Sequence, residues 1–358
     1  MARVAVGMSG GTDSSVAAAL LKAQGHEVIG VTMTTWGGEP SPAGEARHGC
    51  YGPGEAEDVE DARRVAGIVG IPFHAFDLTT EYRSEVLDYF REEYSVGRTP
   101  NPCVRCNRRI KFGTLLRKVR ESGIECDYFA TGHYARVEHE DGRGRYLLRK
   151  AGDSRKDQSY FLCALTQEQL GRSLFPIGEY TKEQVRNMAS EFGLGVEDRL
   201  ESQDFFDGGV SSLLGTGAHP GPILNRKGDV LGQHRGIPFY TIGQRRGLGV
   251  AAREPMYVTS IDPDRNSIVV GALDEVYDDT LIASELNWIA VEGLREPIEA
   301  KARIRYNHQE AEAVISPLDA DRVHVKFRER QMAITPGQAV VFYEDDIVIG
   351  GGTIERAA

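Results

Sequence analysis

No stretch of this 358-residue chain approaches the roughly 20 consecutive apolar residues that cross a bilayer. A helical membrane protein is therefore excluded. Nor does the N-terminus carry a basic stretch followed by an apolar one, because Val4-Ala5-Val6 already reads as a strand. That predicts a chain without a secretory leader, working in the cytoplasm. Cysteine is scarce and odd in number, five residues, which argues against a secreted disulfide scaffold and fits a reducing compartment. Positive charge is not in excess either. A net charge of −11 argues against nonspecific nucleic-acid binding, although a global sum can hide a local patch. Tryptophan occurs only twice, and Trp36 and Trp288 are expected to be packing residues. What remains, 41% hydrophobic and 27% charged, is the composition of a globular protein long enough for two or three cored domains.

The first informative stretch also lacks something. Gly7-Met8-Ser9-Gly10-Gly11-Thr12-Asp13-Ser14-Ser15 joins a predicted strand to a predicted helix, and no lysine precedes Lys22. It is therefore neither GxxxxGK[ST] nor GxGxxG, the two common phosphate loops. Yet a strand turning into a helix exposes unpaired N–H groups at the helix start, a ready anion site. Gly10 and Gly11 allow close approach of backbone to a phosphate, hydroxyls add donors, and Asp13 suits a first helical turn. A plain capped turn would explain one glycine and one cap, not the cluster. The stretch resembles SGGxDSS, the pyrophosphate loop of the ATP pyrophosphatases, a resemblance that implies attack of a substrate oxygen on the α-phosphate of ATP.

Up to about residue 195, strands and helices alternate. Strands are predicted at 3–8, 27–33, 72–77 and 127–131, with helices at 13–23, 55–69, 79–94 and 110–122. This implies an α/β fold, a mainly parallel sheet covered by helices, with ligands at the carboxyl ends of its strands. After about residue 205 glycine and proline become frequent and short alternating strands replace helices, including a hairpin over 256–271 and strands at 299–306, 311–315, 323–327 and 339–343. Three units are expected: a catalytic domain over 1–205, a small β-rich connector over 206–275 and a C-terminal β-barrel over 276–358.

The second informative stretch runs from Thr99 to Gly113. Pro100 and Pro102 fix an extended loop before a helix. Cys106 then falls near a helix start among arginines, a setting expected to lower its pKa. Between Arg105 and Arg120 lie seven basic residues and no acid. Such a run is usually a solvated face, but next to Cys103 and Cys106 it points to a phosphate backbone. Arg245 and Arg246, flanked by glycines, suit the same partner. Cys126 and Cys163 sit in or beside apolar runs and are expected to be structural.

Pyrophosphate loop, Gly97-Arg98-Thr99-Pro100-Asn101-Pro102, Ala130-Thr131-Gly132-His133-Tyr134-Ala135-Arg136, Lys156-Asp157-Gln158-Ser159-Tyr160-Phe161-Leu162 and Phe239-Tyr240-Thr241-Ile242-Gly243-Gln244-Arg245-Arg246-Gly247 occur in one order. Together they resemble the tRNA-specific 2-thiouridylase family over residues 3 to about 350. The resemblance implies that Gly7, Met8, Ser9, Gly10, Gly11, Thr12, Asp13, Ser14, Met33 and Gly132 bind ATP, with Mg2+. It also implies that Asn101, Pro102 and Cys103 meet the wobble uridine of the tRNA anticodon arm. Cys106 matches the nucleophile, with Asp13 and Cys103 also assigned to catalysis. His133, Lys156, Asp157, Gln158, Arg305, Tyr306 and Gln338 would touch tRNA. A sulfur-relay protein, a cysteine desulfurase or free sulfide would supply the sulfur.

Two departures matter. Cys103 stands where the commonest family pattern has Asp, and Phe206 stands where it has a second, persulfide-carrying cysteine. A phenylalanine carries no sulfur, so the two-cysteine relay does not transfer intact. Cys50, in a loop after the second strand, could join Cys103 and Cys106. Three cysteines can hold a 4Fe–4S cluster with one iron open to sulfide, two can run a persulfide–disulfide cycle, and His48 could complete a zinc site. A different pyrophosphate-loop ligase, or a catalytically impaired tRNA-binding or sulfur-carrier protein, are the competing functions.

Overall fold

The computed structural model describes residues 1–38, 49–199, 204–206, 213–214 and 218–357. The N-terminal region contributes β1 (Arg3–Gly7), β2 (Glu27–Thr34), β3 (Gly49–Tyr51), β4 (Phe73–Asp77), β5 (Tyr128–Thr131), β6 (Arg136–Glu140), β7 (Arg145–Arg149), β8 (Ser173–Leu174) and β9 (Asp204–Phe206). Five of them form one parallel sheet in the order β4-β2-β1-β5-β8. The central strand β1 is apolar on both faces, with Val4, Ala5 and Val6 wholly buried, as a strand covered on both sides requires. Helix Thr12–Ala23 buries its Val-Ala-Ala-Ala run against that sheet, and helix Glu55–Val69 packs beside it. The register aligns Gly7 with Val31 on one side and Thr131 on the other, so the carboxyl ends of three strands open on one site.

The small connector holds β10 (Gly221–Leu224), β11 (Val230–His234), β12 (Tyr257–Asp262) and β13 (Ser267–Gly271) in the order β11-β10-β13-β12. Beyond it, β14 (Tyr277–Trp288), β15 (Ile298–Arg303), β16 (Ala311–Pro317), β17 (Val323–Met332), β18 (Ala339–Glu344) and β19 (Ile347–Ala357) make an antiparallel sheet that β14–β19 pairing closes into a six-stranded barrel. The α/β sheet and the C-terminal barrel thus follow the sequence reading. Among the described residues no helix is long and apolar enough to cross a membrane.

Three features depart from expectation. The hairpin β6–β7 joins the barrel sheet instead of the parallel one, through Arg149 opposite Ile347. Arg136 and Arg149 both pair with Asp346, at 2.8 and 2.7 Å, fastening the first domain to the barrel. The helix expected from residue 110 begins instead at Pro102, because the Asn101 carboxamide caps it (3.2 Å from Val104 N) and Pro102 takes the first helical turn, where its missing N–H is no loss. Its middle, Asn107–Leu115, is wound as a π-helix. Finally, Cys50 lies not in a loop but on β3, which pairs in parallel with β9, setting Tyr51 opposite Phe206.

Candidate active site

At the carboxyl edge of the parallel sheet the chain leaves β1 and turns into helix Thr12–Ala23 with Gly11 as N-cap and no side chain capping it. The first N–H groups of the helix are left for a ligand. Gly10 has φ +75, and a Cβ there would stand 2.4 Å from the Asp58 carbonyl oxygen, so only glycine fits. Ser9 N–H donates to Ser14 Oγ (3.1 Å), and the two hydroxyls lie 3.2 Å apart, giving the loop a fixed shape before any ligand arrives. The loop residues Gly7–Gly11 apart from Gly10, with Thr12, Asp13 and Ser14, line a cavity of about 790 Å³, together with Met33, Gly132, His133 and Gln158. Met8 and Thr12 are themselves buried.

Two contacts of Asp13 went unpredicted. Lys182 Nζ holds both Asp13 oxygens, at 2.8 and 2.9 Å, and Tyr134 OH donates to Asp13 Oδ1 at 2.8 Å. Glu55 accepts from Trp36 N–H at 2.6 Å and from Thr35 N–H, closing the end of β2, and burial raises its pKa despite these donors. His133 lies in the cavity wall too. Its Nδ1 is 2.7 Å from Thr131 Oγ1, and burial together with nearby Lys111 holds its pKa well below the usual value, so the ring is neutral.

The thiols gather beside this cavity. Cys103 and Cys106 lie on the helix Pro102–Cys106, and Cys50 faces them from β3 at the cavity wall, close enough for mutual electrostatic influence. The expected low pKa of Cys106 is not what the structure shows. Burial pushes its thiol up to about 11 and that of Cys103 up to about 12. The neighbouring arginine does not reach it: Arg105 pairs with Glu85 at 3.2 Å and stacks on Tyr89. The cation that counters burial is Lys111, also unpredicted. Lys111, five residues further along the chain, lies close enough to Cys106 to act against that rise. Trp36, Tyr51 and Phe206 form an aromatic cluster beside Cys50, with Tyr51–Phe206 centroids 5.8 Å apart. Trp288 stacks on Phe342, as a packing residue. His48 lies outside the described residues.

The comparisons agree with this geometry. Residues 2–206 match the family described as tRNA methyl transferase HUP domain, 214–272 its PRC-barrel domain, and 278–354 the aminomethyltransferase β-barrel domain. The chain is 50% identical over 365 residues to the tRNA-specific 2-thiouridylase MnmA of Symbiobacterium thermophilum, covering 99% of this chain and 92% of that one. The MnmA of Moorella thermoacetica is 49% identical over 361 residues, and 99% of each chain is covered. The MnmA 1 of Caldanaerobacter subterraneus subsp. tengcongensis is 48% identical, with 99% and 98% covered. The chain belongs to the tRNA-specific 2-thiouridylase family.

Within a 2-thiouridylase, the remaining expected residues fall into two groups. Asn101, Arg105, Arg108 and Arg109 line a second cavity of about 320 Å³ between the helix after Asn101 and the barrel. The basic run does not make one patch, however: Lys118 pairs with Glu81 and Arg117 with Glu121, away from that cavity. The other group ties the 2-thiouridylase together. Gln338 Nε2 donates to the carbonyls of Thr99 and Pro100, both at 3.0 Å, pinning the loop before Pro102. Arg305 donates to the carbonyls of Ile242 and Ala333 (3.2 and 3.0 Å), joining connector to barrel. Asp157 is buried, accepting from Ala151 N–H, Ser159 N–H and Ser159 OH, with Arg303 at 3.6 Å. Gln158 Oε1 accepts from Tyr134 N–H at 2.9 Å, while Tyr306 packs on Phe161 with centroids 4.4 Å apart. Lys156 is half-buried, and Arg245 and Arg246 are exposed. Cys163 is buried and lines the second cavity, and Cys126 is half-buried.

Proposed function

We propose that the protein replaces the C2 oxygen of the wobble uridine of tRNA with sulfur, consuming ATP, with Cys106 carrying the reacting sulfur. The observation that supports this best is a single cavity with the pyrophosphate loop on one wall and Cys50 and Lys111 on another. In the first step the uridine C2 oxygen bonds to the α-phosphorus, the bond to the bridging oxygen breaks, and pyrophosphate leaves. The free N–H groups of the helix start and the Ser9 and Ser14 hydroxyls face the charge that develops on the phosphates. Mg2+ suits this site because it arrives with phosphates and waters and needs few protein oxygens, and Asp13, Glu57 and Asp58 line the cavity.

In the second step a persulfide on Cys106 attacks C2 through its outer sulfur, and AMP leaves with the oxygen. The thiolate of Cys103 or Cys50 then attacks Cys106 Sγ, the sulfur–sulfur bond breaks, and its electron pair stays on the uridine sulfur. The protein disulfide left behind is reopened by an external dithiol. A sulfur-relay protein or a cysteine desulfurase then passes sulfane sulfur to the reopened Cys106 thiol; where sulfide is the source, it attacks Cys106 Sγ of the disulfide in place of the dithiol, expelling the partner thiolate and leaving the Cys106 persulfide. The β-domains position the anticodon arm, with Asn101, Pro102 and Cys103 at the target base and Arg108 and Arg109 toward the backbone. Such chemistry belongs to the cytoplasm.

The same three thiols are the donor set for an iron–sulfur cluster. Among the described residues, however, no three His, Cys, Asp or Glu side chains are disposed to hold a metal ion. No step is therefore routed through a cluster. The test is anaerobic incubation of purified protein with tRNA, Mg2+-ATP, cysteine, a cysteine desulfurase and a dithiol, with iron content and the visible spectrum measured on the same sample. Thiolation by iron-free protein supports the cycle; thiolation that tracks bound iron overturns it.

A further inference from the structure

The helix that carries Cys106 changes its winding twice. It is α-wound over Pro102–Cys106, π-wound over Asn107–Leu115 and α-wound again over Leu116–Glu121. Such π-winding is rare, and where it occurs it often serves a site. Its loss would amount to about one residue of rotation, roughly 100°, between the parts on either side. The stretch faces two ways: Lys111 and Leu115 line the ATP cavity, while Arg108 and Arg109 line the second one.

What holds this winding comes from another element. Gln169 Nε2 gives both of its hydrogens to the stretch, donating to the Arg108 carbonyl at 2.9 Å and to the Phe112 carbonyl at 3.0 Å. In an α-helix the Arg108 carbonyl would take the Phe112 N–H, four residues on, so a donor already seated there lowers the gain from the tighter ring. Gln169 Oε1 accepts from Thr166 N–H at 3.0 Å, within the capping box of helix Gln167–Gly171. That helix is anchored by Gln167, whose Nε2 donates to the carbonyls of Tyr146 on β7 (2.9 Å) and Ile289 just beyond β14 (3.1 Å). Gln169 thus braces the π-wound stretch against the hairpin and the barrel. It lines neither cavity, so any effect on chemistry passes through the backbone it holds.

We propose that Gln169 is a positioning residue for sulfur transfer, fixing Lys111 relative to Cys106 by keeping Asn107–Leu115 in its π-winding. This rests on the two-step reading above. Adenylation depends on the pyrophosphate loop, whereas sulfur transfer also needs Cys106 and Lys111 in place.

The experiment incubates the full chain with tRNA, Mg2+-ATP, cysteine, a cysteine desulfurase and a dithiol, and reads pyrophosphate released per 2-thiouridine formed in the first turnover. The unaltered chain should give one. Gln169→Glu keeps the capping box, which accepts Glu as well as Gln, but loses both donors. It should slow 2-thiouridine formation by about 10- to 100-fold while pyrophosphate release stays near that of the unaltered chain, so the ratio rises. Gln169→Met, which removes the donors without adding a charge, should do the same and serves if the glutamate variant does not fold. Thr166→Ala weakens the cap and spares the brace, so it should lower the melting temperature with the ratio still at one. A ratio of one in both Gln169 variants would overturn the inference, and so would an equal rise in Thr166→Ala. An unaltered chain that forms no 2-thiouridine would overturn the proposed function itself.

Discussion

Replacing Gly132 by alanine adds one methyl group at the point where the loop after β5 meets the pyrophosphate loop. A Cβ there would stand 2.5 Å from Ser14 N, 2.6 Å from Asp13 C and 2.9 Å from Ser14 Cα. Optimal contacts between carbon atoms are about 3.5 Å or longer, so the methyl group must gain roughly 1 Å. All three atoms are backbone, so no flexible side chain can swing aside. Either the loop after β5 or the helix start retreats, and both line the ATP cavity. Overpacking of this kind costs about 1–3 kcal/mol. A shift of about 1 Å in a positioning element costs on the order of 100-fold in rate. Gly132→Ala should therefore lower kcat/KM for tRNA-dependent pyrophosphate release by about 100-fold and lower the melting temperature together. Pyrophosphate release coupled to a colorimetric readout, with a thermal melt on the same preparation, measures both. A variant with unaltered turnover and unaltered melting would refute the claim that Gly132 braces the loop.

Gln338→Ala removes two donors to the loop before Pro102, at about 1 kcal/mol each. Thiolation at limiting tRNA should fall several-fold while ATP affinity, measured by titration, stays constant; an equal loss of ATP affinity would count against a role confined to that loop. The raised thiols of Cys106 and Cys103 make a prediction with a definite sign. A pKa higher in the folded chain than in the unfolded one adds stability that is complete below the ordinary thiol value and is lost as pH rises through about 11 to 12. Denaturant midpoints should therefore fall between pH 9 and 11, and fall less in Cys106→Ser; an identical slope in that variant would show that the thiol is not buried in solution.

What the sequence disclosed and what it withheld divide along the range of the forces involved. The pyrophosphate loop was legible because its signal is local: glycines for a tight turn, hydroxyls and an acid at a helix start. Helix Glu55–Val69 was legible to the residue, since Gly54 and Gly70 flank an unbroken amphipathic run. The hairpin β6–β7 was not, because its anchor is Asp346, about 200 residues away. Lys182 escaped for the same reason, as nothing near it in sequence points to Asp13. The Cys106 expectation failed differently. Its arginine neighbours along the chain were visible, but burial of the thiol and the diversion of Arg105 to Glu85 are tertiary facts. The π-winding of Asn107–Leu115 likewise leaves no mark in a pattern read at 3.6 residues per turn. Cys50 could be named as a third thiol from the loss of the family's usual cysteine at Phe206, yet only the β3–β9 pairing places the two strands side by side.

The central claim is that Cys106 carries the sulfur while the pyrophosphate loop activates the uridine, and that the two steps are separable. Cys106→Ala, incubated with tRNA, Mg2+-ATP, cysteine, a cysteine desulfurase and a dithiol, should release pyrophosphate at most one equivalent per tRNA and leave adenylated uridine in place of product. Nucleoside mass spectrometry of the digested tRNA reads both species. Adenylate without 2-thiouridine is the result this account predicts, and 2-thiouridine formed by the Cys106→Ala protein at the rate of the unaltered chain would contradict it.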